Sequence, residues 1–561
     1  MGDVTAGLIV TVMLIPQSLA YASLAGLPPE VGLYASILPL VVYALLGTSM
    51  TLAVGPVAVV SFMTATALAP LATAGSAEYI ALAGHLALLS GLILLIFGIL
   101  RLGFIAYFLS HPVINGFIAG AAILIALGQI KHILGVSADG VTVIELSTNL
   151  VSQLSGFNAT SLVIGITAIV LLQLSRSWLP RALTWAGLAS NIAELLSKVA
   201  PMFVVIIATA LVWALDLEHS AGLRVVGHVP AQLPSLGASL PSSEQWSSLF
   251  LPALLIGLVG FVESISVAQS LALKRRQRIK PDRELLALGA SNVASAISGG
   301  YPVTGGFARS VVNFSAGANT PLAGIISATL MLGVVAGLTG LFRTLPYAVL
   351  AATIIVAVIG MIDIKAFYHT WRYDRADGLA MIATAVGVML LGVEEGIVLG
   401  VVLSLSVFIW RSSRPHMAVV GRVPGTQHFR NIKRHNVETL PGVVALRIDE
   451  SLFFGNAHAV EDQAIALLAE NDKVKDLILI LSAVNRIDTT ALEMLSNLNR
   501  SLNENGIRLH FAEIKGPVMD RLRHDAFLND LSGRLFLSLN EAFDYFAAPT
   551  NPNSTQESPQ L

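Results

Sequence analysis

Two ionisable residues stand inside apolar stretches of this chain. Glu263 lies in LPALLIGLVGFVESISVAQSLAL and Arg309 in YPVTGGFARSVVNFSAGANT. A charge at bilayer depth costs about 2.5–3.5 kcal/mol on insertion scales, so it is rarely kept without a partner or a task. A carboxylate and a guanidinium, each beside glycines and small residues, suit an anion site that also handles a proton. Desolvation favours the neutral carboxyl, whereas a nearby guanidinium favours the charged one. A Glu263 close to Arg309 therefore links protonation to anion binding. On this reading Glu263 carries the coupled proton and Arg309, released from it, faces a divalent or strongly basic oxyanion. The competing reading is a structural ion pair.

Further polar groups join this pair by spacing. Gln17 and Tyr21 in LIPQSLAYA are one helical turn apart and share a face. Gln hydrogen-bonds an oxyanion, and Tyr offers an O–H and a ring wall; the alternative role for both is helix-packing glue. Two Gly/Pro-interrupted apolar segments, TLAVGPVAVVSFMTATALA and SGGYPVTGGFARSVVNF, lie in corresponding halves, the pattern that points to a transporter site. Pro56 follows Gln17 by 39 residues, and Pro302 follows Glu263 by the same interval. Coincidence is the alternative to a repeat here. A helix that begins at mid-membrane presents unpaired N–H groups and the positive end of its dipole, and such an end binds anions. The small residues around Val57-Ala58 and Phe307-Ala308 let an anion reach that backbone, and Pro56 and Pro302 are expected at the helix starts. Ordinary packing kinks are the bland alternative. His85 and Gln129 read as packing residues, and Glu394-Glu395 as a solvated turn.

The elements that must position these groups follow from composition. Of 561 residues, 55% are hydrophobic and 12% charged, against about 25% charged in soluble domains. This is a polytopic α-helical membrane protein. A net charge of -2 implies no nucleic-acid partner, and the absence of cysteine excludes disulfides, thiol catalysis and cysteine metal sites. No metal or cofactor is expected. The opening MGDVTAGLIVTVMLIPQ has no basic n-region or cleavage site and reads as a span, with a short leader missing before it as the alternative start. Fourteen spans are expected, near 4–24, 29–47, 55–70, 78–100, 111–134, 159–176, 200–216, 250–272, 284–298, 304–316, 321–341, 346–361, 376–392 and 395–411. An even count puts both termini on one side, and an odd repeat of seven spans is inverted in the membrane. With the termini cytoplasmic, the inner loops collect Arg101, Arg176, Arg181, Lys198, the run KRRQRIKPDR (274–283), Lys365, Arg372, Arg375, Arg411 and Arg414. The outer loops receive only Lys131, Arg224 and Arg343. That bias sets the orientation, and the 274–283 run reads as a topology anchor rather than a nucleic-acid or lipid site.

IPQSLAYASLAGLPPEVGLYASILPLVVYALLGTS, LAVGPVAVVS and TGGFARSVVNFSAGANTPLAG closely resemble the SulP anion transporters, and the likeness runs from about residue 3 to about 547. The resemblance implies a fourteen-span, seven-plus-seven inverted repeat with core and gate domains, usually dimeric. It implies an anion site between the third and tenth helix N-termini with help from the first and eighth spans, here Gln17, Tyr21, Val57, Ala58, Glu263, Phe307, Ala308 and Arg309. Sulfate-type members pair a Glu in the eighth span with an Arg in the tenth, as here. Sodium-bicarbonate members use an Asp with hydroxyl residues, whereas this chain has Glu263 with Val267 one turn on. Ala308 stands where many relatives carry Ser.

The transport domain is expected over 1–411, a linker over 412–440, an α/β domain over 441–548 and a disordered tail over 549–561. GVVALRIDESLFF, VKDLILILSAV and IRLHFAEI read as strands; 456–470, the segment after Asp488 and LNEAFDYFA read as helices. The pattern resembles the STAS domain that follows SulP transporters. Thr490 sits where related STAS proteins place a phosphorylatable Ser; capping of the helix by Thr489 or Thr490 is the bland reading. No acid/base pair, nucleophile constellation or phosphate loop appears, so the domain is expected to be a regulatory or dimer-contact module with a cytosolic partner, and the chain no enzyme.

The expected function is secondary active anion transport, proton-coupled sulfate symport first, by alternating access in the cell inner (plasma) membrane as a homodimer. The expected partners are a small inorganic anion, a proton and the lipid bilayer. Rivals are bicarbonate or dicarboxylate transport by the same site, a passive anion channel, a membrane scaffold acting through the STAS domain, and a nucleobase carrier, against which Arg309 argues.

Overall fold

The computed structural model describes residues 2–548 apart from 108–109, 234–236 and 238–239. The segment expected to be a disordered tail, 549–561, lies outside the described residues. The chain divides into two compact units, Met1–Ser404 and Leu405–Leu561.

In the first unit, hydropathy and caps set the helices. α1 (Gly2–Leu24), α2 (Pro29–Tyr34) and α3 (Leu38–Leu46) lead into a two-residue strand β1 (Val54–Gly55) and the short α4 (Ala58–Leu68). Then follow α5 (Ala77–Ile99), α6 (His111–Leu134), α7 (Val143–Ser152), α8 (Ala159–Ser177), α9 (Leu179–Trp185), α10 (Ser190–Ala214) and α11 (Leu217–Ser220). The second half holds α12 (Ser243–Lys274), α13 (Pro281–Ile297), strand β2 (Thr304–Gly305), the short α14 (Phe307–Ser315) and α15 (Leu322–Gly337). It closes with α16 (Tyr347–Ile359), α17 (Ile364–Tyr373), α18 (Arg375–Leu390) and α19 (Val393–Ser412), which runs across the boundary between the units. Starts are marked by side-chain caps: Ser76 accepts from Tyr79 N–H, Asn158 from Ser161 N–H, and Ser242 forms a capping box with Gln245.

Each of the fourteen segments expected to span coincides with a helix or a helix pair. Among the described residues, eight helical segments are long and apolar enough to cross a membrane, and Ala58–Leu68, Val199–Ala214 and Leu322–Gly337 are shorter apolar ones. α4 has 11 residues and α14 has nine. At about 1.5 Å per residue each covers about half of a hydrocarbon core of about 30 Å; both are half-helices.

The packing repeats when the two halves are exchanged. α5 lies on α13 as α3 lies on α15; α1 meets α15 as α12 meets α5; α4 touches α12 as α14 touches α1; α6 packs on α18 as α16 packs on α8. The first three relations join one group of helices, and the last defines a second. β1 and β2 pair antiparallel at the centre, Val54 with Gly305 and Gly55 with Thr304. Counted from the helix starts that follow, whose N-caps are Val57 and Gly306, Pro56 corresponds to Gly305 and not to Pro302. The equal spacing of the two prolines is therefore not a structural equivalence. Neither proline opens a helix: Pro56 precedes the N-cap Val57, and Pro302 lies ahead of β2.

The second unit contains a six-stranded sheet in the order β4-β3-β5-β6-β7-β8. Its strands are β3 (Met417–Arg422), β4 (Phe429–Asn431), β5 (Val443–Ile448), β6 (Asp476–Ile480), β7 (Arg508–Ala512) and β8 (Leu535–Phe536). β5 to β8 run parallel, and β3 is antiparallel to both its neighbours. The helices are α20 (Ala457–Ala469), α21 (Thr489–Glu504), α22 (Gly516–Arg523) and α23 (Leu539–Ala547). Alternate residues of β6 face two separate cores, Leu477 and Leu479 one, Ile478 and Ile480 the other, as a sheet covered on both faces requires. β3 and β4 fall in the stretch expected to be a linker; their polar, Gly- and Pro-bearing sequence hid them.

Candidate functional site

The site forms where the two chain breaks meet. β1 and β2 turn the chain back towards the centre, and α4 and α14 start from them. The N-cap residues, Val57 and Gly306, are extended and give no side-chain cap. Both helix starts therefore keep N–H groups free of side-chain caps at their positive ends.

Arg309 occupies the first turn of α14 and is 2% exposed. Its Nη1 donates to the Pro56 carbonyl at 2.6 Å and to Gln17 Oε1 at 3.4 Å. Its Nε and Nη2 have no hydrogen-bond partner among the described residues. Those two nitrogens form the fork edge that pairs with two oxygens of an oxyanion. Two glycines make room for the ring of charge. A Cβ on Gly306 would meet Nη2 at 2.9 Å and Cζ at 3.1 Å, and one on Gly55, which has φ +153°, would meet Nη2 at 3.3 Å.

Gln17 on α1 thus touches Arg309 directly. Tyr21, buried one turn on, is within electrostatic reach of Arg309 and Glu263. Val57 and Ala58 are buried at the start of α4, while Phe307 is 56% exposed and Ala308 is exposed at the start of α14. The start of α14 is thus exposed at these two residues, whereas that of α4 is covered. Glu263 on α12 is half-buried and within electrostatic reach of Arg309. It makes no ion pair with it among the described residues: the backbone carbonyl of Pro56 holds the guanidinium instead.

A polar scaffold not anticipated from the sequence holds β2 and α14. The amide of Asn292 on α13 acts as a strand partner, accepting from Val303 N–H at 2.9 Å and donating to its carbonyl at 2.9 Å. Ser264, next to Glu263, accepts from Gly305 N–H at 2.8 Å and pairs with Thr304 Oγ1 at 2.7 Å. Ser310 accepts from Ala53 N–H, and Asn313 donates to Thr51 O. Tyr301 OH and Ser61 Oγ lie 2.9 Å apart, tying α4 to the second break. Ser, Thr and Asn at small-residue helix positions give no signal that separates them from packing glue; only their recurrence around both breaks could have flagged them. Glu284, at the start of the segment expected to span over 284–298, was not singled out from the sequence. It is fully buried and accepts from Tyr43 OH at 2.8 Å and Thr48 N–H at 2.7 Å. His85 and Gln129 are buried, as packing residues are.

In the second unit, Thr489 and Thr490 are exposed at the start of α21. The cap is Asp488, whose Oδ1 accepts from Ala491 N–H at 2.9 Å and whose Oδ2 accepts from Phe454 N–H at 2.9 Å. Capping by a threonine is thus corrected: a carboxylate one residue earlier satisfies the end and complements its dipole.

Two uncapped half-helices aimed at a buried cation, within a repeat that exchanges its halves, define a helical membrane transporter of anions, followed by a separate α/β domain. Residues 1–384 match the Sulfate permease family and residues 434–542 the STAS domain. The chain belongs to the Sulfate permease family, whose members are membrane anion transporters and not enzymes. Sulfate transporter 4.1, chloroplastic, of Arabidopsis thaliana is 36% identical over 521 residues, 90% of this chain and 74% of that one. Probable sulfate transporter Rv1739c of Mycobacterium tuberculosis is 33% identical over 548 residues, 97% of this chain and 95% of that one. The fold is that of the murine anion transporter Slc26a9 in its inward-facing state, with TM-score 0.88, 23% identity and coverage of 98% and 91%. The transmembrane domain of the cyanobacterial bicarbonate transporter BicA aligns with TM-score 0.60 and 23% identity over 72% of this chain and 97% of that one.

Proposed function

We propose that this chain is a proton-coupled sulfate symporter working by alternating access, with Gln17, Tyr21, Val57, Ala58, Phe307, Ala308 and Arg309 at the anion and Glu263 as the proton carrier. The observation that carries the reading is the unpartnered Nε–Nη2 edge of buried Arg309, set between two uncapped helix starts. A buried donor left unmet costs about 1–3 kcal/mol, and a two-oxygen ligand removes that cost in a way a halide does not. The curated relatives named above are sulfate transporters, which supports sulfate as the substrate. Bicarbonate or a dicarboxylate also presents two oxygens and is the second reading for the same edge; a passive channel is the rival for mechanism.

The fourteen-span, seven-plus-seven arrangement in an inner (plasma) membrane, the homodimer and the cytoplasmic placement of both termini and of the α/β domain belong to this proposal. So does the division into a transport domain over 1–411, a connecting segment over 412–440 and the STAS domain over 441–548. Thr490, exposed at a helix start, is the proposed regulatory position, and a cytosolic protein the proposed partner of that domain. Uptake of labelled sulfate into proteoliposomes at two pH values, with unlabelled sulfate, bicarbonate and fumarate competing, tests the reading. Uptake driven by an inward proton gradient and blocked by sulfate alone supports it. Competition by bicarbonate or fumarate at lower concentration than sulfate, or uptake indifferent to the gradient, rejects it.

A further inference from the structure

The 274–283 run has a use beyond setting topology. Its ten residues hold Lys274, Arg275, Arg276, Arg278, Lys280 and Arg283. The first two are engaged: both lie over the Phe314 ring, Arg275 Cζ at 4.5 Å and Lys274 Nζ at 5.7 Å, and Arg275 Nη1 donates to Ala318 O. The other four are exposed, and no ion pair or side-chain hydrogen bond engages them among the described residues. The nearby carboxylates are already committed. Asp282 accepts from Gly103 N–H at 2.8 Å, and Glu284 is buried on Tyr43 and Thr48. The Gly103–Asp282 bond also brings the end of α5 to this loop, with exposed Arg101 two residues before Gly103. Exposed apolar side chains adjoin these cations in the chain: Ile99 is 71% exposed, Leu100 62% and Leu273 77%. A belt of unpaired cations bordering lipid-facing apolar residues has the chemistry of an acyl–headgroup boundary.

We infer that Arg101, Arg276, Arg278, Lys280 and Arg283 bind the headgroup of an anionic phospholipid in the inner leaflet. The leaflet rests on the cytoplasmic placement of this loop proposed above; the binding itself does not. The full-length protein in detergent, titrated with phosphatidylglycerol and with phosphatidylcholine and read by native mass spectrometry, tests it. The anionic lipid is expected to be retained at least tenfold better. Each cation neutralised in Arg276→Gln and Arg278→Gln lowers its retention about fivefold, while Arg276→Lys and Arg278→Lys keep it. Equal retention of both lipids, an unchanged affinity in the Gln variants, or an equal loss in the Lys variants overturns the inference. Displacement of the lipid by glycerol phosphate at matched concentration also overturns it, assigning the patch to free phosphate. Gln277→Cys, in a chain without cysteine, reports the side separately: labelling by an impermeant maleimide only from outside overturns the leaflet and the proposed orientation, and leaves the measured lipid preference standing.

Discussion

Replacing Arg309 by lysine keeps the charge and removes the fork. Arginine carries five N–H donors in fixed geometry, whereas lysine carries three on one atom. In the structure Nη1 is spent on Pro56 O and Gln17, so on the proposed reading Nε and Nη2, without partners among the described residues, take the anion. An ammonium at the same place has to serve the Pro56 carbonyl and the anion from a single nitrogen, so one charge-assisted bond to the anion is lost. Such a bond contributes about 2 kcal/mol, which corresponds to about a thirtyfold loss of affinity. Arg309→Lys should therefore raise the KM for sulfate about thirtyfold in proteoliposome uptake, with a smaller change in maximal rate. Arg309→Gln, which also removes the charge, should abolish measurable uptake. Thermal unfolding in detergent checks that both variants remain folded. A folded Arg309→Lys protein whose KM lies within twofold of the parent would refute the two-oxygen geometry and leave Arg309 acting as a point charge.

Three further outcomes follow from other contacts. Glu263→Gln should leave sulfate exchange measurable while removing the response of uptake to a pH gradient; a variant that still responds fully to the gradient dismisses Glu263 as the proton carrier. Gly306→Ala is compatible with the backbone, whose φ is -82°, so its methyl, 2.9 Å from Nη2, acts only by shifting the guanidinium. Uptake should fall at least tenfold, at a stability cost of about 1–3 kcal/mol, and unchanged uptake kinetics would contradict the placement of Arg309. In the second unit, burial alone would raise the carboxyl of Asp476, but hydrogen bonds from His510 at 2.9 Å and Arg508 at 2.8 Å hold it below the usual carboxylate range. Its contribution is present above the unfolded value of about 3.9 and lost as pH falls through the lower folded value. Asp476→Asn should thus cost about 2 kcal/mol near neutral pH and nothing in strong acid, seen as faster amide exchange across β6 and β7; equal exchange in variant and parent at neutral pH would count against it.

Much of the architecture was legible because bilayer physics writes it in composition. Apolar runs of fixed length and the Gly/Pro breaks located the helices, and Gln17 and Arg309, singled out from different stretches, meet in one hydrogen bond. The proline spacing was legible and misleading. A proline marks where a helix does not continue, and only the observed helix starts, at N-caps Val57 and Gly306, tell which residues are equivalent. Contacts that depend on backbone partners left no pattern. Asn292 works by imitating a strand against Val303, and nothing in its own sequence surroundings separates that from a packing amide. The same holds for β3 and β4, short strands recognisable only through the edges they cover, β3 that of β5 and β4 that of β3.

The exchange of halves also explains why one cation suffices. Counted from the two helix starts, N-caps Val57 and Gly306, Arg309 stands opposite Val60 of α4, a buried apolar residue. A symmetric site would have two guanidinia at the midpoint, repelling each other when empty and holding an anion too firmly to release. With one, the charge available depends on Glu263. Each half-helix start contributes roughly half an elementary charge, so with Arg309 the site presents about two positive charges when Glu263 is neutral and about one when it is ionised. On the proposed reading the protonated site matches a divalent oxyanion, and loss of the proton leaves the anion under-compensated. Proton and sulfate then enter and leave together because each is favoured by the field of the other. A monovalent anion would be matched by the ionised site instead, and would gain nothing from the proton. The charge of the substrate and the coupling to protons are thus a single question, and the asymmetry between Val60 and Arg309 is what makes it one.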